Sequence, residues 1–186
     1  MGDAPEGRRV IPFARDDGAI VAEFTPLEAG IISDLAVQIA ELLGELSAEP
    51  THPDDVFASI GMGGTDRLHR DPAIARLLPD AYGDDADASG DFRRMTEQSL
   101  ATRKVDNARV VVDTLATDEG RVRLTDAEAH SWMKGVADIR LTLAARLGIE
   151  HDGDTGATDG DTALAMHDLY DWLAYVTETL IDALES

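Results

Sequence analysis

None of the 186 residues is a cysteine, so polar chemistry must come from carboxylates, imidazoles, hydroxyls, amines and guanidinium groups. That one absence removes disulfides, thiolate metal ligands, Cys nucleophiles and thiol redox sensing from this chain. The densest run of metal-type ligands is Asp152-Gly153-Asp154-Thr155-Gly156-Ala157-Thr158-Asp159-Gly160-Asp161. Its spacing invites comparison with a calcium loop. Counted from Asp152, however, Ala157 stands where the sharp turn needs Gly, and Ala163 stands where the bidentate Glu belongs. A solvated linker explains the run better. His52, His69, His130, His151 and His167 show no recognised ligand spacing. Gly61-Met62-Gly63-Gly64 lacks the G-K-[ST] ending and the preceding strand of a phosphate loop, and no G-x-S-x-G elbow is present. No residue is therefore assigned to catalysis, to a cofactor or to a metal.

The bases allow more than one reading. Arg93, Arg94, Arg103, Lys104 and Arg109 fall within one helical stretch, followed by Arg121 and Arg123. Arg93/Glu97 and Arg109/Asp113 have the i,i+4 spacing of surface ion pairs, and the bases scatter around a helical wheel. A solvated, ion-paired helix is the expectation; a patch docking an acidic protein and a DNA-contacting face are the alternatives. The overall charge, −21 from 37 acids and 16 bases, opposes phosphate backbones and anionic lipids, so any DNA contact would need a local basic face. The same acidity serves as a solubilising surface. The first residues lack the basic and apolar regions of a secretory signal, and no apolar run reaches the ~20 residues of a membrane helix. A cytoplasmic location and no membrane partner are expected.

The elements that would carry these side chains are mostly helical. Residues 8–24 read as a β-hairpin around Arg15-Asp16-Asp17-Gly18, with Pro12 marking an edge strand. Thr25-Pro26-Leu27-Glu28 is a capping box opening a helix with Leu27, Ile31, Leu35, Ile39, Leu42 and Leu46 as its stripe. Ile32, Val37 and Leu43 are left over on that helix, which suggests a second buried face and a homodimer. Residues 47–71 read as a flexible connection. Asp71-Pro72 starts a short helix that Pro79 ends. A long helix follows over about 90–116, with its two halves packing against different neighbours. After a short extended piece at 121–124, Thr125-Asp126-Ala127-Glu128 opens a helix with Trp132, Val136, Ile139, Leu143 and Leu147 inward and Gly148 as its stop. Residues 149–161 read as a second flexible loop. Asp161 then caps a last helix with Leu169, Leu173, Val176, Leu180 and Leu184 inward. At 44% hydrophobic residues the chain can bury a core, so one mainly α domain spanning 1–186 is predicted. Its architecture is a bundle of about four long helices with an N-terminal β-hairpin.

Four segments together resemble a known family. They are Asp71-Pro72-Ala73-Ile74-Ala75-Arg76-Leu77-Leu78-Pro79-Asp80-Ala81-Tyr82, then Asp91-Phe92-Arg93-Arg94-Met95-Thr96-Glu97, then Asp138-Ile139-Arg140-Leu141 running on to Arg146-Leu147-Gly148-Ile149, and Tyr170-Asp171-Trp172-Leu173. In this order they are similar to an actinobacterial domain-of-unknown-function family that includes the oxidative-stress regulators of the AosR type. The resemblance covers nearly the whole chain. It implies a non-enzymatic regulator of redox and sulfur genes that acts through protein contacts, with a sigma factor as partner. Direct DNA binding, or an adaptor role linked to ClpS-type proteolysis, is the alternative. Arg76, Asp80, Tyr82, Arg93, Arg94 and Glu97 are the partner-binding candidates carried over; a bidentate pair between Asp80 and Arg93 or Arg94 is their structural alternative. The family's oxidant response uses a C-x-x-x-C pair, which this cysteine-free chain lacks.

Overall fold

The computed structural model describes residues 11–47, 71–79, 90–116, 120–151 and 153–186, with only the backbone described at 11, 12, 45–47 and 90–94. Most of the connection predicted at 47–71 therefore lies outside the described residues. The chain runs β1 (Ile11–Asp16), β2 (Ala19–Glu23), α1 (Pro26–Ser47), α2 (Pro72–Leu77), α3 (Gly90–Leu115), β3 (Arg121–Leu124), α4 (Asp126–Leu147) and α5 (Asp161–Glu185). The fold is mainly α, as its apolar periodicities require.

The hairpin forms where Asp17 and Gly18 both take positive φ, the conformation a two-residue turn between twisted strands demands. β1 lies at the edge of the sheet, and its pairing with β2 slips between Ile11 and Ala14, the stretch holding Pro12, which has no N–H to donate. β3 joins the other side of β2 as an antiparallel strand, so the hairpin becomes a three-stranded sheet. Strand alternation then buries Ile20, Ala22, Val122 and Leu124 on one face.

Helix starts follow their capping residues. Thr25 N–H donates to Glu28 Oε2 at 2.7 Å while Glu28 N–H donates to Thr25 Oγ1 at 3.3 Å, and Thr125 and Glu128 repeat the arrangement. Gly148 closes α4 in the left-handed conformation. At α5 the expectation needs correction. Gly160 is the N-cap and makes no side-chain bond, and Asp161 sits one residue inside, where its charge complements the helix dipole.

α1 lies along α3, α3 crosses α4, α4 packs on α5, and α5 covers β1. Gly135 allows the α3–α4 crossing: a Cβ there would stand 3.0 Å from Val111 Cγ2. The predicted stripe of α4 is buried throughout, whereas that of α1 is rotated. Ile32, Ala36, Ile39 and Leu43 face the core while Leu27 is 73% and Val37 38% exposed, so two of the three residues read as left over join Ile39 of the predicted stripe, with Leu35 and Leu42 packed at its margin. α1 is apolar on several sides, and only its neighbour α3 selects the face. In α3 the packed stripe runs Ala101, Val105, Ala108, Val111 and Leu115; of Phe92, Met95 and Ser99, the side expected to pack elsewhere in the N-terminal half, Met95 and Ser99 are exposed and the Phe92 side chain lies outside the described ones. Phe13, Phe24, Trp132 and Trp172 meet at ring-centroid distances of 5.4–6.3 Å, joining sheet, α4 and α5. Trp132 Nε1–H donates to Thr114 Oγ1 at 2.8 Å, which satisfies the one polar atom of the buried indole and ties α4 to α3.

Candidate functional site

The six residues carried over from the resemblance are not brought together by the described structure. Asp80 and Tyr82 lie outside the described residues, and the side chains of Arg93 and Arg94 are likewise not described. Glu97 is half-buried and engaged on α3. Arg109 meets Asp106 at 3.4 Å, three residues back, instead of the expected Asp113. Arg76 is the candidate with a defined role.

That role is structural as well as positional. Asp71 caps α2 by accepting from Ala73 N–H at 2.8 Å, and its second oxygen accepts from Arg146 Nη2 at 2.8 Å. Arg76, at the other end of α2, donates through Nη2 to the Ile149 carbonyl at 2.5 Å. Two arginines thus hold the short helix against the C-terminal end of α4 from both sides. A six-residue helix is too short to persist alone, so this clamp and the burial of Ala73, Ile74 and Leu77 maintain it.

Beside the clamp opens a cleft of about 520 Å³, lined by Arg76, Arg140, Ile149, His151, Asp154 and Tyr170 among others. Its turn is tightly held. Asp154 accepts from Glu150 N–H at 3.0 Å and His151 N–H at 2.7 Å, and these bonds hold its carboxyl below the usual range. Ala157 N–H returns to the Leu147 carbonyl at 2.7 Å. Gly156, at φ +61°, passes so close that a Cβ would stand 2.6 Å from that same oxygen. Composition gave no sign of these bonds within the acidic loop. On the cleft's inner side the Arg140 guanidinium lies 4.6 Å from the centre of the Tyr170 ring, and its buried Nε has no hydrogen-bond partner. Three of the four resemblance segments therefore converge here, although of the six candidates carried over from the resemblance only Arg76 lines the cleft among the described residues, and the sequence alone offers His151 and Asp154 only as metal ligands. Arg140, Arg146 and Tyr170 were visible only as members of those segments.

A second polar contact joins α3 to α4. Lys104 Nζ lies 2.5 Å from Asp138 Oδ1, with the side chains 15% and 6% exposed. Burial pushes the Asp138 carboxyl above its ordinary value, against the opposing pull of the lysine. Lys134 opens onto the same groove, so both lysines of the chain flank one helix crossing. His130 Nδ1 contacts the Asp126 carbonyl at 2.6 Å and His167 Nε2 the Ala157 carbonyl at 3.1 Å. Among the described residues no three His, Asp or Glu gather as metal ligands, and no helix is long and apolar enough to cross a membrane.

Residues 10–184 match the family model described as a domain of unknown function, DUF2017. The chain is 31% identical over 173 residues to the putative oxidative stress regulator AosR of Mycobacterium leprae, covering 86% of this chain and 79% of that protein. It is 30% identical over 182 residues to the oxidative stress regulator AosR of Mycobacterium bovis and to that of Mycobacterium tuberculosis H37Rv, covering 90% of this chain and 83% of each relative. No solved structure matches.

Proposed function

The chain belongs to the DUF2017 family, and from that premise we propose that it is a non-enzymatic regulatory protein of the AosR type, acting in the cytoplasm through contacts with a protein of the transcription machinery. The observation that carries this reading is the match along nearly the whole chain to proteins named as oxidative stress regulators. The resemblance points to redox and sulfur genes as targets and to a sigma factor as partner. The charge of −21 supports contact with protein in preference to DNA, since a field of that sign repels a phosphate backbone at every approach except a local basic face. Without a cysteine the chain has no thiol of its own to oxidise, so an oxidant signal reaches it by a route other than a thiol switch.

Deleting the gene and profiling transcripts with and without oxidant tests the reading. Altered redox and sulfur transcripts, restored by the intact chain, are expected; an unchanged profile contradicts it. Retention of duplex DNA by the purified chain, falling steeply as salt is added, would instead favour direct binding.

A further inference from the structure

Arg140 stands out against the composition of the chain. Acids outnumber bases by 37 to 16, and Arg15, Arg109, Arg121, Arg123 and Arg146 each have a carboxylate within 3.7 Å. Arg140 is half-buried yet makes no hydrogen bond or ion pair with any described residue, and its Nε is sealed from solvent with no acceptor. Its guanidinium carbon lies 4.6 Å from the centre of the Tyr170 ring, a contact that supplies no acceptor, and with Nε closed to solvent the two Nη groups are the donors left for a partner. A planar fork of donors matches a carboxylate, two oxygens to two N–H groups, better than any other common partner. We propose that the cleft between α2, the end of α4, the segment Ile149–His151 with Gly153 and Asp154, and α5 is a binding site for a small aliphatic carboxylate, with Arg140 as its anchor.

The remaining walls refine the ligand. Arg76 enters the same cleft with one nitrogen committed to the Ile149 carbonyl, adding a second positive charge. Leu141, Ala144 and Ile149 form an apolar wall suited to a short hydrocarbon body. Glu150 and Asp154 on the lining repel a doubly charged anion more than a singly charged one, which favours a carboxylate monoanion over the phosphate dianion. The cleft, about 520 Å³, falls within the roughly 300–1,000 Å³ of small-molecule sites. This inference stands apart from the regulatory reading: a carboxylate occupies the cleft whether or not the chain acts on transcription.

The test is a titration of the full chain with isovalerate, its neutral amide isovaleramide and inorganic phosphate, followed by calorimetry and NMR. Saturable binding of isovalerate is expected, with the largest shifts at the Tyr170 ring and the Ile149 amide. Isovaleramide and phosphate should bind at least about tenfold more weakly, as should isovalerate to Arg140→Gln. The NMR map on the unaltered chain keeps the proposal testable if that variant does not fold. The proposal is overturned by absent saturation, shifts centred outside the cleft, equal binding of the amide or phosphate, or undiminished binding by a folded Arg140→Gln.

Discussion

Lys104 and Asp138 illustrate how a single buried pair can cost the fold and still be required by it. With its side chain only 6% exposed, Asp138 loses most of its hydration, and its carboxyl is pushed above the ordinary 3.8 despite the ammonium 2.5 Å away. A raised value means that this group favours the folded state below its unfolded pKa and that the benefit is lost as pH rises through the folded value. Removing the lysine worsens the loss, because the ionised carboxylate is then buried unpaired. Lys104→Met should destabilise the protein by about 3–5 kcal/mol near neutrality. The deficit should shrink as pH is lowered past the Asp138 pKa, which denaturant unfolding at several pH values would reveal. A deficit independent of pH would assign the effect to lost packing. This pair was not legible beforehand: Lys104 read as one of several scattered bases, and only the α3–α4 crossing at Gly135 turns it toward Asp138.

Helix boundaries were the most legible level. Thr25/Glu28, Thr125/Glu128, Asp71-Pro72 and Gly148 announce ends through local bonds that need no tertiary information. The bonds from Thr125 hold Glu128 below its ordinary 4.5, so its contribution is present above that value and fades as pH falls through the folded one. Thr125→Ala should lower stability by about 0.5–2 kcal/mol at neutral pH, and its gap from the parent should narrow in acid. Facing was less legible. Periodicity on α4 admits one apolar stripe and found it, whereas α1 has Ile31, Ile32, Leu35, Ile39, Leu42 and Leu43 spread around its girth, and the stripe chosen from spacing shares Ile39 with the buried face but lies to one side of it. α2 depends on partners distant in sequence. Arg146→Met removes one side of its clamp, so amide exchange at Ala73–Leu77 should accelerate more than that of α4. Equal acceleration in both helices would mean that the clamp supports the whole bundle.

At the scale of the molecule, helix content and the β-hairpin followed from periodicity and one Asp-Gly turn. The extended piece at Arg121–Leu124 was legible too, but not its place beside β2, because four residues carry too little pattern to show which edge they join. The cleft was not legible either: its lining comes from α2, α4, the turn and α5, whose approach is a tertiary fact. The charge of −21 is a property of the entire surface and implies self-repulsion, so the melting temperature should rise as NaCl goes from about 10 mM to about 0.5 M. A flat or falling curve would show that local ion pairs such as Arg15–Asp126 and Arg121–Glu23 outweigh the net field. Relatives named as oxidative stress regulators support a regulatory role while the absence of cysteine removes direct thiol sensing, and both bear on one measurement. The chain of 186 residues should be used as bait in native cytosol under reducing and under oxidising conditions, with captured proteins identified. The expected result is capture of a sigma factor or another defined transcription component, held by contacts that no thiol of the bait can switch. Capture of no transcription component under either condition would contradict it.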